Sequence, residues 1–173
     1  MSGERKLYTI SALVEHRPGV LYNISNMFRR RSFNIETISV GTAEQSDIAR
    51  MTITVNGDER TVEQVVKQLN KLIDVIDVSI LDPKSTVARE LALIKVNTQD
   101  ARVRADVINY TEIFKGHVVD VAHESLVVEI TGDSDKIDAF IDLMKSFGIK
   151  ELARTGITAL PRGMSSVKME GGN

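Results

Sequence analysis

Glu15-His16-Arg17-Pro18-Gly19-Val20-Leu21 is the stretch on which the fold turns. Before it, Tyr8, Ile10, Ala12 and Val14 alternate with other residues and predict a strand; after it, Val20, Leu21, Ile24, Met27 and Phe28 recur at helical spacing. The stretch is therefore a strand-to-helix junction. Pro18 suits a first helical turn because its φ is already helical and its missing N–H is not needed there, while Gly19 leaves the backbone bare for close approach. No Ser, Thr, Asp or Asn precedes the helix; Arg17 can only donate hydrogen bonds. The free N–H groups of that turn thus lack a side-chain acceptor and favour an anion, each favourable charge there being worth about 0.3–1 kcal/mol. A water-capped turn is the plainer alternative.

The remaining chain reads outward from this junction. Residues 33–40 predict a second strand in which Phe33 and Ile35 are out of step with Ile38 and Val40, as a bulge near Glu36 or Thr37 would produce. The cations Arg29, Arg30 and Arg31 before it suit the negative end of the first helix. Met51, Ile53 and Val55 alternate in a third strand. Thr61 with Gln64 resembles a capping box ahead of a helix whose inner side is Val62, Val65, Val66, Leu69, Leu72 and Ile73. Residues 75–81 form a fourth strand, ended by Asp82-Pro83-Lys84-Ser85, so the first unit is βαββαβ.

A second unit follows the same plan. Residues 90–96 are apolar on both faces, which places that strand in a sheet centre. Thr98 or Asp100 can cap a helix with Val103, Val107, Tyr110 and Phe114 inward and Gly116 at its end. Strands over 117–123 and 126–131 come next, then a helix capped by Ser134 or Asp133 with Ile137, Phe140, Ile141, Met144 and Phe147 inward. Residues 149–158 predict a last strand, and the Gly- and Ser-rich residues 164–173 a loose tail. The fold class is α+β: two ferredoxin-like βαββαβ sandwiches in tandem, over 1–82 and 87–163, joined at 83–86. Each sheet has one face without helices, near which Leu13, Ile38 and Val40 are expected, so each unit is expected to seek a second copy.

Composition narrows the function. The 173 residues are 42% hydrophobic and 27% charged with net charge −2, so no basic field argues for nucleic acid or an acidic membrane surface. No cysteine is present, which removes disulfides, thiolate metal sites and Cys nucleophiles. No apolar run nears the roughly 20 residues that span a bilayer, and the polar start passes straight into a strand, so a cytoplasmic location is expected. The histidines, His16, His117 and His123, form no HExxH, and no P-loop, GxGxxG or Gly-x-Ser-x-Gly elbow occurs. His117 and His123 with Asp120 or Glu124 could share a strand face, but exposed polar residues are the simpler account. No catalytic and no metal site is expected.

Residues 8–21 together with 33–40, Phe33-Asn34-Ile35-Glu36-Thr37-Ile38-Ser39-Val40, resemble the ACT domain, a small module that binds amino acids. Ser46-Asp47-Ile48-Ala49-Arg50-Met51-Thr52-Ile53, residues 67–75, Arg89-Glu90-Leu91-Ala92-Leu93-Ile94-Lys95-Val96, Thr111-Glu112-Ile113-Phe114-Lys115-Gly116 and Leu160-Pro161-Arg162-Gly163 resemble the regulatory small subunit of acetolactate synthase. The resemblance implies a first domain that is an ACT domain, a homodimer or higher oligomer, and a separate large catalytic subunit as partner. It implies activation of that subunit and feedback inhibition by valine or a related amino acid in branched-chain amino-acid synthesis. Thiamin diphosphate, FAD and Mg are expected only on the catalytic subunit. The effector pocket implied comprises His16, Arg17, Pro18, Gly19, Val20 and Leu21 with Asn34 and Ile35, Asn34 coming from a neighbouring subunit. His16 stands where many relatives have Asn. The second unit has Asn97-Thr98-Gln99-Asp100 at the equivalent turn, without Pro-Gly and with a cap available. An ACT-type module sensing an amino acid for another enzyme or for transcription is the alternative.

Overall fold

A computed structural model describes residues 6–163. The first unit contains strand β1 (Lys6–Glu15), helix α1 (Val20–Arg30), β2 (Thr37–Thr42), β3 (Ile48–Gly57), α2 (Glu59–Leu69) and β4 (Val75–Leu81). Its sheet has the order β2-β3-β1-β4 with every neighbour antiparallel, as βαββαβ connectivity requires. Ile10, Ala12 and Val14 of β1 face inward beside Met51, Ile53 and Val55 of β3, and α1 (Ile24, Met27, Phe28) and α2 (Val62, Val65, Leu69) close that face. The inward residues thus have period 2 on the strands and near 3.6 on the helices, the two periodicities that the fold needs.

Three local expectations are corrected. The second strand starts at Thr37, not Phe33: Ser32 takes φ 55, Phe33 N–H donates to the Phe28 carbonyl, and Phe33 and Ile35 pack on the core from a loop. Phe33 stands edge-on to Phe28 with ring centroids 6.3 Å apart. The phase conflict is therefore a loop that buries two side chains, not a bulge. Helix α2 starts at Glu59, and its cap is Asp58, not Thr61. Ile38 and Val40 pair with Ile53 and Met51, which puts both on the helix-covered side; Leu13 lies on the other side and is only 1% exposed.

A 3₁₀ turn (Pro83–Ser85) leads into β5 (Thr86–Asn97), so the strand expected from residue 90 begins earlier. The second unit continues with α3 (Ala101–Ile113), β6 (His117–Val121), β7 (Ser125–Gly132), α4 (Ser134–Lys145) and β8 (Ile149–Arg154), in sheet order β6-β7-β5-β8. Its core is Ala92, Ile94 and Val96 with Val107, Val128, Ile137, Phe140 and Met144. Lys115, at φ 55, carries the left-handed position after α3, not Gly116; a Cβ on Gly116 would stand 2.8 Å from the Glu129 carbonyl oxygen, so close approach is what demands glycine there.

The expected last strand is broken in two. β8 stops at Arg154, and a short β9 (Thr158–Pro161) pairs with β5. Among the described residues, 88–155 form one compact unit, and 156–163 group with 6–87. Gly156 lies on the backbone of Ile38, and Thr158 and Leu160 line a cavity of about 340 Å³ with Ser39, Arg50 and Thr52. The helix-free face of the first sheet therefore carries the chain's own segment, where a bare face was expected. On it Ser11, Leu13, Thr52 and Thr54 are all buried. The corresponding face of the second sheet retains partly exposed Leu93, Val127 and Lys95. The tail expected at 164–173 lies outside the described residues.

Candidate functional site

The junction from Glu15 to Leu21 is where the first unit departs from ordinary helix chemistry. Gly19 occupies the N-cap of α1 at φ 93, a conformation that favours glycine, and no side chain caps the helix. The first closing bond runs from Asn23 N–H to the Gly19 carbonyl at 2.9 Å, and the N–H groups of Val20, Leu21 and Tyr22 find no acceptor among the described residues. A Cβ built on Gly19 meets nothing within 4 Å, so the space in front of the turn is open. The other three α-helices of the described residues are each capped by an aspartate: Asp58 accepts from Thr61 N–H at 2.8 Å, Asp100 from Val103 N–H at 2.8 Å, and Asp133 from Lys136 N–H at 3.0 Å. Thr98 and Ser134 are thus not the caps, and the turn of the second unit is closed by Asp100.

The expected site residues divide. Pro18, Gly19 and Leu21 are exposed at the turn, and Tyr22 beside them is exposed as well. Val20 buries its side chain in the core, so only its N–H can serve a ligand. His16 leans on the β2–β3 turn, its N–H donating to the Asp47 carbonyl at 2.7 Å and its Nδ1 lying 3.3 Å from the Ser46 carbonyl oxygen. Arg17 is not a free cation. Its Nε lies 2.5 Å from Glu15 Oε2 and its Nη2 2.5 Å from Asp74 Oδ1.

Asn34 and Ile35 sit beyond the other end of α1, a helix of 11 residues and so about 16 Å long. Asn34 is thus set about one helix length away from the turn of its own chain. Its amide donates to Glu36 Oε1 at 2.8 Å, while Ile35 packs on the core.

Sequence reasoning missed Asp74 and Asn23. Asp74 is buried in the turn before β4; its Oδ2 accepts from Asn23 Nδ2 at 2.8 Å and its backbone carbonyl from Glu15 N–H at 2.9 Å. The Asn23 amide holds the Asp74 carboxyl below its ordinary value, against the opposing pull of burial and with help from Arg17. The signal was an acidic residue inside the apolar run Leu72-Ile73-Asp74-Val75-Ile76.

Among the described residues no group of three His, Cys, Asp or Glu gathers as a metal site; His117 is on β6 and His123 lies past its end. No described helix is long and apolar enough to cross a membrane.

Two family models match the chain: an AHAS small subunit-like ACT domain over residues 10–77, and the small subunit of acetolactate synthase over residues 89–163. The "Probable acetolactate synthase small subunit" of Methanothermobacter thermautotrophicus is 57% identical over 160 residues, 92% of this chain and 95% of that one. The acetolactate synthase small subunit of Aquifex aeolicus is 49% identical over 163 residues, 94% of this chain and 85% of that one. The crystal structure of the acetolactate synthase small subunit from Thermotoga maritima superposes with a TM-score of 0.86 at 40% identity, covering 92% of this chain and 99% of that one. Two family models that between them span most of the chain, and relatives matched along nearly their whole length, place this chain in the acetolactate synthase small-subunit family.

Proposed function

We propose that this chain is the regulatory subunit that binds and activates the thiamin-diphosphate catalytic subunit of acetolactate synthase and makes it sensitive to valine or a related branched-chain amino acid. The observation that supports an effector site is the vacant first turn of α1, alone among the four α-helices of the described residues in lacking a side-chain cap. An amino acid's carboxylate would accept from the N–H groups of Val20, Leu21 and Tyr22, in a place where the helix dipole favours negative charge. The exposed Leu21 would lie against its aliphatic part, and Asn34 of a second copy would meet its polar end. Because two chains would build each pocket, the effector would favour one arrangement of the dimer and shift the enzyme's equilibrium by linkage. Discrimination among valine, leucine and isoleucine is then modest, about 1–3 kcal/mol per methylene. The chain itself would carry no reaction and hold no cofactor, thiamin diphosphate, FAD and Mg belonging to the catalytic subunit, in the cytoplasm.

Co-purification with the catalytic subunit, followed by pyruvate-condensation assays with and without valine, tests the role. Calorimetry tests the site: Gly19→Asp, which supplies the missing carboxylate internally, and Asn34→Ala are both expected to abolish or sharply weaken valine binding. Unchanged binding in both variants would show the pocket to be elsewhere.

A further inference from the structure

We propose that Asp74 is the positioning residue of this site: one buried side chain that clamps the strand end, the turn and the first helical turn around the vacant N–H groups. The inference rests on the effector reading above and adds to it the device that holds the site ready. Three bonds converge on Asp74. Its backbone carbonyl takes the N–H of Glu15, the last residue of β1; Oδ1 takes Arg17 in the turn; Oδ2 takes Asn23 in the first turn of α1. The donors lie on both sides of Gly19, so the flexible residue at the cap is bracketed by fixed points. The side chain of Asp74 is 5% exposed, which keeps water from competing for either oxygen.

The same contacts reassign Arg17. A guanidinium next to a proposed carboxylate site invites the reading that it binds the ligand, but two carboxylates already hold it, and Glu15, Arg17 and Asp74 together carry a net negative charge. Arg17 acts as a strut between Glu15 and Asp74. The vacant backbone N–H groups are left to receive the anion. A preformed turn spares the effector the cost of ordering it. Asp74 also starts the approach to β4, so the geometry of the effector turn is joined to that of the α2–β4 turn through one residue.

The test uses the full chain in three variants. Asp74→Asn keeps shape and removes the charge; valine affinity is expected to fall about tenfold, the loss imposed by a competent turn populated a tenth of the time. Amide hydrogen exchange at Glu15 and Asn23, whose N–H groups are bonded to the carbonyls of Asp74 and Gly19, is expected to quicken while the core amides of Ile10, Ile53 and Ile94 keep their protection, a local change that general destabilisation would not give. Asn23→Asp combined with Asp74→Asn swaps carboxylate and amide across the same bond, and is expected to restore much of the affinity and slow the exchange again. Parent-like affinity and exchange in Asp74→Asn would overturn the inference, as would a well-folded swap variant that recovers neither. Gly19→Asp run alongside separates the two claims. If it loses valine while Asp74→Asn does not, the effector site stands and the clamp falls; if it binds valine like the parent, the effector site falls, and the exchange rates alone decide the clamp.

Discussion

Gly156 rests on the backbone of Ile38: a Cβ added to Gly156 would lie 2.9 Å from both the carbonyl carbon and the oxygen of Ile38 and 3.1 Å from its nitrogen. A backbone cannot swing aside as the tip of a side chain can. Gly156→Val is therefore expected to destabilise the protein by about 1–3 kcal/mol, the cost of overpacking a close contact. Ala159, 1% exposed on the same segment, predicts a companion effect: Ala159→Glu buries a charge without a partner and should cost at least as much. Urea unfolding of both variants against the parent checks this.

That segment also marks where the sequence stopped being legible. The strands and helices of both units follow from apolar periodicity, because each buries one face against its own neighbours. Residues 156–161 pack on the first sheet after a second unit has intervened, and no local pattern records a partner more than a hundred residues away. Phe33 and Ile35 misled for a related reason: they are buried from a loop, so their spacing reports core contact and not strand phase. At the candidate site, the vacant cap at Gly19 was visible because it is a missing residue type at a fixed position. Asp74 and Asn23 were not, since their pairing joins helix α1 to a turn 51 residues further along the chain.

The three capped helices supply a control for the uncapped one. Asp133 accepts from Lys136 N–H, so Asp133→Ala is expected to cost about 1 kcal/mol. Pro18→Ala ahead of α1 removes no such bond and should change stability through chain stiffness alone, by about 0.4–1 kcal/mol. If thermal unfolding instead gave the two substitutions equal and large costs, α1 would have a cap that its geometry does not display.

In the second unit Glu90 is buried with Arg154 Nε 2.5 Å away and the Ser134 hydroxyl bonded to its other oxygen. Arg154 also reaches Asp138 at 2.5 Å. Removing one member leaves the other charge stranded, so Arg154→Met is expected to cost roughly 3 kcal/mol. Replacing both, Arg154→Met with Glu90→Met, strands no buried charge, Asp138 being exposed, and should recover most of that loss. A double-mutant cycle by chemical denaturation measures the difference; additive losses would show that the pair is not coupled.

Acid stability follows from two carboxylates. Thr61, through its hydroxyl and its N–H, holds Asp58 below the ordinary carboxylate range, and the Asn23 amide, with Arg17, does the same for Asp74 although burial opposes it. A carboxyl whose folded pKa lies below its unfolded one stabilises the fold wherever the unfolded chain would already be ionised, above about pH 4. The contribution is lost as the pH falls through the folded values, because the native state must then take up the protons that break these bonds. Unfolding free energy measured from pH 6 down to pH 2 should fall steeply below about pH 4 in the parent. Asp58→Asn with Asp74→Asn should start lower at pH 6 and fall less steeply, since neither position can then titrate. Parallel curves for the parent and the double variant would mean that these two groups do not govern the acid limb.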